Sequence, residues 1–217
     1  MNYTHIKQWI FTPEALLREK ERKSDKIKYR IIKSIETEKG NAKDLMIINV
    51  DSEMETIRYY ITSLRKITYN YPINIFNTAS HYILRFYLRR SIYAHDPLKM
   101  LYAALCLAMK VEEFHFNIKE YCEKCAAHCT NEELIQYENA LINSLKFNMK
   151  VLSAYDSIEV LLHMDILKGV LKQSDVECVR TKAYLNADLS FLTDAVFLMQ
   201  PNRIGFACYR MAFKETD

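Results

Sequence analysis

Residues 100–116, MLYAALCLAMKVEEFHF, decide the fold. At 100° per residue, Leu101, Ala104, Leu105 and Ala108 form one face of a helix, and Ala103, Cys106 and Leu107 form the opposite one. A helix that is apolar on both sides has to be surrounded. The segment therefore predicts the hub of a helical bundle, with small side chains that let neighbours approach closely. Asp96 is its expected N-cap and Pro97 its first helical residue. One cation, Lys110, stands at its exit. Taken alone it has an ordinary explanation, a lysine facing the dipole of a last helical turn with its stem along Leu107.

Four helix-length segments surround the hub in sequence. Residues 51–70, DSEMETIRYYITSLRKITYN, place Ile57, Tyr60, Ile61 and Leu64 on one stripe and end at NYP. Residues 74–91, NIFNTASHYILRFYLRRS, repeat that spacing with Ile75, Ala79, Tyr82, Ile83, Phe86 and Tyr87, and finish in Arg89 and Arg90, which suit a helix C-terminus. After the hub come NIKEYCEKCAAHC and then TNEELIQYENALINSLKF, where Thr130 and Glu133 write a capping box. A weaker second set follows in YDSIEVLLHM, DVECVRTKAYLNADLSFLTD and PNRIGFACYRMAF. Five helices followed by three read as a repeat whose second copy is cut short.

Residues 1–50 read as an appendage. Thr12, Pro13, Glu14 and Ala15 are a strong helix start, from which two to four turns are expected. ETEKGNAKD around Gly40 reads as a turn or loop. The expected organisation is an extension over 1–50, a first unit over 51–150 and a partial second unit over 151–217.

Composition agrees with an all-α chain. Among 217 residues there are only 3 Gly and 4 Pro, too few for many tight turns or a Gly-rich phosphate loop, and half the residues are hydrophobic. No run of 18 uncharged apolar residues occurs and the amino terminus lacks a signal-peptide pattern, so a soluble intracellular protein with reduced thiols, no disulfides and no membrane partner is expected. The formal charge of +3 is small, but it is concentrated: residues 18–33, REKERKSDKIKYRIIK, carry 8 basic and 3 acidic side chains. The plain reading is a solvated helix face; the alternative is a basic surface meeting an acidic partner.

Glu138 is the main anomaly. Leu134, Leu141, Ile142 and Leu145 form an apolar stripe, and Glu138 falls inside it. An ionised carboxylate buried without a partner costs several kcal/mol, so it must meet a cation, backbone donors or a surface that a partner later covers. Lys110 is the obvious cation, and the two read as a prepared polar pair. Cys122, Cys125 and Cys129, with His128 beside them, lack the second pair of ligands that structural zinc requires, so packing thiols are expected and no metal or cofactor. His81 and His163 read as partly buried packing residues. No GxGxxG, GKS/T, HExxH or Gly-x-Ser-x-Gly pattern occurs, so no catalytic residues are assigned.

These residues resemble a known family. A five-helix unit with HYILRFYL in its second helix, LAMKVEE closing its third and YENALINSLKF in its fifth resembles the cyclin box, and residues 157–213 resemble the start of a second box. The resemblance implies an all-α cyclin fold and a regulatory, non-enzymatic subunit that binds a cyclin-dependent kinase catalytic subunit. Lys110 and Glu138 look like the family's paired residues, which bond the kinase backbone before its mobile αC helix, with Leu107, Val111, Ile142 and Phe147 as apolar contacts. QWIFTPEALLREK, the insert before EMETIRYY, and LTDAVFLMQPNRIGFA are similar to the cyclin H branch, with cyclin C as the nearest alternative. Similarity to that branch implies the CDK-activating kinase, TFIIH, a RING-finger assembly factor and a nuclear location. Cell-cycle cyclins carry an Arg–Asp pair and a docking patch that this chain lacks, having Glu55 and Leu84 at the pair and Arg58 without a Trp at the patch. DNA-binding factors resembling TFIIB share the fold, but residues 34–217 supply no net positive charge for phosphate, so no direct nucleic-acid contact is expected.

Overall fold

A computed structural model describes residues 4–37 and 50–214; the turn expected around Gly40 lies outside the described residues. The described residues form eleven helices in the order α1 Thr4–Trp9, α2 Pro13–Thr37, α3 Val50–Ile67, α4 Ile73–Arg89, α5 Pro97–Val111, α6 Ile118–Cys125, α7 Asn131–Ser144, α8 Ala154–Leu167, α9 Val176–Ser190, α10 Ala195–Leu198 and α11 Pro201–Lys214. Helices α3–α7 are the five-helix unit and α8, α9 and α11 the second set. Local chemistry sets most boundaries. The Asp96 carboxylate accepts from the amides of Leu98 and Lys99 at the start of α5, Asn117 does the same for α6, and Thr130 and Glu133 close the capping box of α7.

The hub is a pair of helices rather than one. Met100, Leu101 and Ala103–Met109 of α5 are buried, as the apolar pattern requires, but every residue of α4 from Ile75 to Leu88 is buried too. Its sequence stripe covers only one face; tertiary packing covers the other. Phe191, which follows α9, meets Phe76 and His81 edge-on at 5.4 and 5.2 Å. Trp9 of α1 lies under the guanidiniums of Arg85 and Arg89, 5.1 and 4.8 Å from its ring centroid. None of the Arg85 nitrogens meets a hydrogen-bond acceptor among the described residues, and burial draws its pKa down to about 9, so the indole face is its principal electrostatic partner.

Helix α2 runs 25 residues, well past the two to four turns expected: no Gly or Pro interrupts the sequence before Gly40, and between Leu16 and Ile27 one of its faces is tethered to the bundle. Leu16, Glu19, Lys20, Lys23 and Ile27 recur at helical spacing toward the bundle. Lys20 pairs with Asp194 at 2.6 Å and Glu19 with Arg89 at 3.4 Å. Lys23 pairs with Glu53 of α3 at 2.5 Å, each side chain 2% exposed, and also donates to the Tyr87 carbonyl. Glu53 accepts in addition from the Ile92 amide at 2.6 Å. Three charged residues of the segment read as a solvated face, Glu19, Lys20 and Lys23, therefore turn inward and pair with other helices.

Two aspartates join the second set to the first. Asp188 accepts from Arg65 at 2.7 Å and from the Tyr155 hydroxyl at 2.6 Å, and Asp194 receives both Lys20 and Arg58. Within the second set, Gly205 of α11 lies against α8 so closely that a Cβ would stand 2.3 Å from the Ala154 carbonyl oxygen. The short α10 was not foreseen. His163 is exposed on α8 rather than partly buried, since its helix turns Ile158 and Leu162 inward instead.

Helix α1 also clamps the α7–α8 linker. The Leu152 amide donates to His5 Nδ1 at 2.9 Å, which requires neutral imidazole at that nitrogen. Burial, then the Arg85 charge, draws the His5 pKa down to about 3; burial, then Arg85 and His5, holds His81 well below the usual range. Between pH 6.5 and 3 the unfolded chain binds these protons and the folded chain does not, so stability is full above pH 6.5 and falls with acid. Denaturation at pH 7.0 and 5.0 should show a lower midpoint at pH 5.0, with a flatter dependence in His5→Asn/His81→Phe. Lys23→Met alone strands a buried carboxylate and should cost about 3–5 kcal/mol, while Lys23→Met/Glu53→Gln recovers most of that loss in urea titrations.

Candidate functional site

The last turn of α5 packs against the middle of α7, and the two helices stop in the same way. After Val111, Glu113 adopts φ 54°, with the Phe114 amide bonding Met109 O and the Glu113 amide bonding Lys110 O. After Ser144, Lys146 adopts φ 51°, with the Phe147 amide bonding Ile142 O and the Lys146 amide bonding Asn143 O. Both are Schellman stops, normally written with glycine. The chain does write glycine at the same stop after α8, where Gly169 has φ 68°. At α5 and α7 it instead accepts about 1–2 kcal/mol per left-handed residue to keep a side chain there.

The side chain gained is Phe147. It too is left-handed, at φ 59°, and it is 74% exposed. The linker behind it is held firmly: the Tyr82 hydroxyl donates to Met149 O at 2.7 Å and the Asn148 side-chain Nδ2 to Gln8 Oε1 at 3.0 Å. A large apolar ring is thus fixed in water on a braced, strained loop. No intramolecular gain explains its exposure.

Between α5 and α7 the structure brings together the two charges singled out in the sequence. Lys110 Nζ donates to Glu138 Oε1 at 2.6 Å across 28 residues of chain. The environment is uneven, with the carboxylate side chain 15% exposed and the lysine 45%. Burial pulls the Lys110 pKa down, but the Glu138 hydrogen bond, together with the Cys106 and Glu138 charges, outweighs it and the net shift is upward. The carboxylate therefore stays in its apolar stripe because α5 delivers a cation to it. Each group keeps spare capacity, since an ammonium has three donors and a carboxylate about four acceptor positions.

Val111 and Ile142 flank the pair, Val111 exposed and Ile142 half-buried. Leu107 is placed differently: at 5% exposure it lies within the core and supports the patch from beneath. Ile135, one turn before Glu138 on the same face of α7 and exposed, completes the apolar border. Sequence reasoning missed it because it is offset from the buried Leu134–Leu141–Leu145 stripe; its signal was an isoleucine outside the core register. Glu112, the next acid of KVEE, is committed elsewhere, accepting from the Thr78 hydroxyl at 2.5 Å.

Cys122, Cys125 and Cys129 do not share one helix face, because α6 stops at Cys125 and Cys129 lies in the following turn. Among the described residues no three His, Cys, Asp or Glu side chains are grouped to hold a metal ion, and no helix is long and apolar enough to cross a membrane.

A five-helix unit around a buried helix, followed by a related set, with its chemistry displayed on a surface, defines the cyclin fold. Solved structures agree. A chain of the CAK complex from Chaetomium thermophilum bound to ATP-gamma-S superposes with a TM-score of 0.87 at 19% identity, covering 99% of this chain and 68% of that one. A chain of the yeast TFIIK complex gives 0.77 at 18% identity, covering 97% and 84%. The model of the cyclin N-terminal domain matches residues 28–150, and the chain belongs to the cyclin family. Its curated relatives include cyclin mcs2 of Schizosaccharomyces pombe, 26% identical over 214 residues, covering 93% of this chain and 66% of the relative. Cyclin-H1-1 of Arabidopsis thaliana is 27% identical over 177 residues, covering 78% and 52%. The chain thus spans about half to two-thirds of the length of these relatives.

Because the Lys110–Glu138 pair is partly solvated, its contribution to the isolated chain is that of a surface pair. Lys110→Ala should change unfolding free energy by no more than about 1 kcal/mol. Urea titration checks this against the larger loss expected for Lys23→Met.

Proposed function

We propose that this chain is a cyclin H-like regulatory subunit that binds and activates a cyclin-dependent kinase. The observation that carries the reading is the Lys110–Glu138 pair, which joins the last turn of α5 to the middle of α7, with Val111, Ile142 and Ile135 beside it on those helices and the exposed Phe147 just beyond α7. The patch is neither a core nor a catalytic constellation. It suits a partner that buries apolar surface and offers main-chain groups to both charges.

On this reading the αC helix of the kinase packs against α5 and α7. Lys110 uses its remaining N–H donors on kinase main-chain carbonyls, and Glu138 uses its remaining lone pairs on main-chain amides. Backbone contacts fix orientation without requiring particular kinase side chains. Packing then favours the αC position in which its glutamate pairs with the active-site lysine, the arrangement that phosphoryl transfer needs. The cyclin contributes position and leaves the chemistry to the kinase.

The cyclin H likeness extends the reading to the CDK-activating kinase and TFIIH, with a RING-finger assembly factor as third partner and the nucleus as location. The solved relatives bear the names CAK and TFIIK, and the curated relatives include cyclin H proteins. Roles in transcription and cell-cycle control follow from the same likeness. Identification of copurifying proteins by mass distinguishes this branch from cyclin C, since the two differ chiefly in their kinase.

The charge swap Lys110→Glu/Glu138→Lys is the sharpest test. It keeps an ion pair within the cyclin and so preserves the fold, but it presents each partner group with the wrong charge. Kinase affinity should fall by about 30-fold or more, matching a loss of about 2–5 kcal/mol for a buried interfacial charge. Unchanged affinity in a folded swap variant would overturn the assignment.

A further inference from the structure

The contact between α1 and α4 gathers hydrogen-bond donors for which the described residues supply no acceptor. His5 and Trp9 stand four residues apart on α1, as His81 and Arg85 do on α4, so each pair occupies one helix face. The two faces meet in register: the His5 ring stands edge-on to His81 at 5.0 Å, and the Arg85 guanidinium lies over the Trp9 ring. The Arg85 charge also acts on the His5 ring, so the two groups are neighbours. His5, Trp9 and Arg85 are each no more than 2% exposed.

The hydrogen bonding at this contact is one-sided. His5 Nδ1 accepts from the Leu152 amide, so the proton of the neutral ring sits on Nε2, which is buried and unpartnered. Trp9 Nε1–H and all three nitrogens of Arg85 are buried and unpartnered as well. Every one of these groups is a donor. Arg85 also brings a whole charge, since a guanidinium whose pKa falls only to about 9 is still cationic at neutral pH, and Tyr82 rather than a carboxylate is the titratable group that acts on it. Arg89, which shares the Trp9 ring, has Glu19 as its counter-ion. For Arg85 the indole face offsets part of the charge but accepts none of its N–H groups.

A buried donor that meets no acceptor costs its full desolvation, and a buried charge costs more. Water is a poor remedy for this set. A water molecule accepting from two of these groups has two O–H groups of its own to place, and the unpartnered side-chain acceptors of α4 are out of reach: Asn77 Oδ1 stands two turns before Arg85, and Ser80 Oγ about 140° round the helix from it. An anion accepts from every donor, has no proton to place and cancels the charge. One guanidinium calls for one negative charge, and the near-complete enclosure calls for a small ion. We infer that a chloride ion binds between α1 and α4, accepting from the Arg85 guanidinium, Trp9 Nε1–H and His5 Nε2–H. The ion ties α1 to the hub and, through His5, to the α7–α8 linker at Leu152. None of its ligands belongs to the Lys110–Glu138 patch, so the site stands or falls apart from the kinase reading.

The test is urea unfolding of the full chain at constant ionic strength, with sodium chloride progressively replacing sodium gluconate, whose anion is too large for the site. A ligand bound only by the folded chain lowers the unfolding constant by a factor of one plus the ratio of its concentration to its Kd, so chloride at ten times its Kd should lower that constant about tenfold. Arg85→Met replaces the cation with an apolar chain of similar reach and should unfold alike in both salts. Trp9→Phe keeps a ring beneath Arg85 and removes only the Nε1–H; it should weaken chloride binding several-fold, and it carries the test if Arg85→Met does not fold. Crystals grown in sodium bromide should show anomalous scattering from one ion among Arg85, Trp9 and His5. Wild-type stability that is the same in chloride and gluconate overturns the inference. So does a chloride dependence that neither variant diminishes, or bromide found at other places and not at this one.

Discussion

A helix without a polar face has to be covered on every side, and most of this molecule follows from meeting that requirement twice, for α4 and α5. Helix α5 is covered because its own sequence is apolar all round. Helix α4 carries Asn77, Ser80, His81 and Arg85 among its buried residues, so what covers it must also satisfy or neutralise polar groups. That need recruits α1 and the Phe191 turn. Trp9 gives Arg85 a π face, His81 is kept neutral by burial, and Phe191 closes the side toward the second set. The amino-terminal helices are thus the outer wall of the hub rather than an appendage beside it.

The same requirement explains two ion pairs of nearly equal length and different consequence. Lys23–Glu53 at 2.5 Å is enclosed, and its charges are held by a second set of backbone hydrogen bonds. Such a pair fixes α2 on α3 more through the cost of breaking it than through any net gain in making it. Lys110–Glu138 at 2.6 Å stands at the edge, where the core ends and α5 stops against the middle of α7. There water shares the charges, so the pair adds little stability and keeps its unused donors and acceptors available. Depth, not distance, separates the structural pair from the one that suits recognition. The left-handed stops beside it point the same way, since they carry backbone strain that core packing does not require.

Much of this was legible in the chain. The hub pattern of residues 100–109, the capping signals at Asp96 and Thr130, and the misplaced carboxylate Glu138 each carry a local cost with few remedies, so one reading dominates. Lys110 and Glu138 could be matched because a charge in an apolar stripe calls for an opposite charge. Ile135 and the role of Leu107 were harder, because periodicity separates core from surface without saying which apolar residue lies above another. The inward face of α2 was misread for a related reason. Leu16, Glu19, Lys20, Lys23 and Ile27 have core spacing, but three of the five are charged, and charge alone reads as solvent.

By itself the sequence determined the all-helical class, the five-helix unit with a second set after it, and the pair of residues worth examining. These depend on helical period, capping and the cost of a stranded charge, which act over a few neighbouring residues. Only the tertiary structure decided which charges are interior. Lys23 and Glu53 lie 30 residues apart in sequence and Arg65 and Asp188 lie 123 apart, and nothing local distinguishes them from solvated neighbours. An ion pair of that kind exists only once packing has removed the water around it, so its place can be read from the folded chain alone.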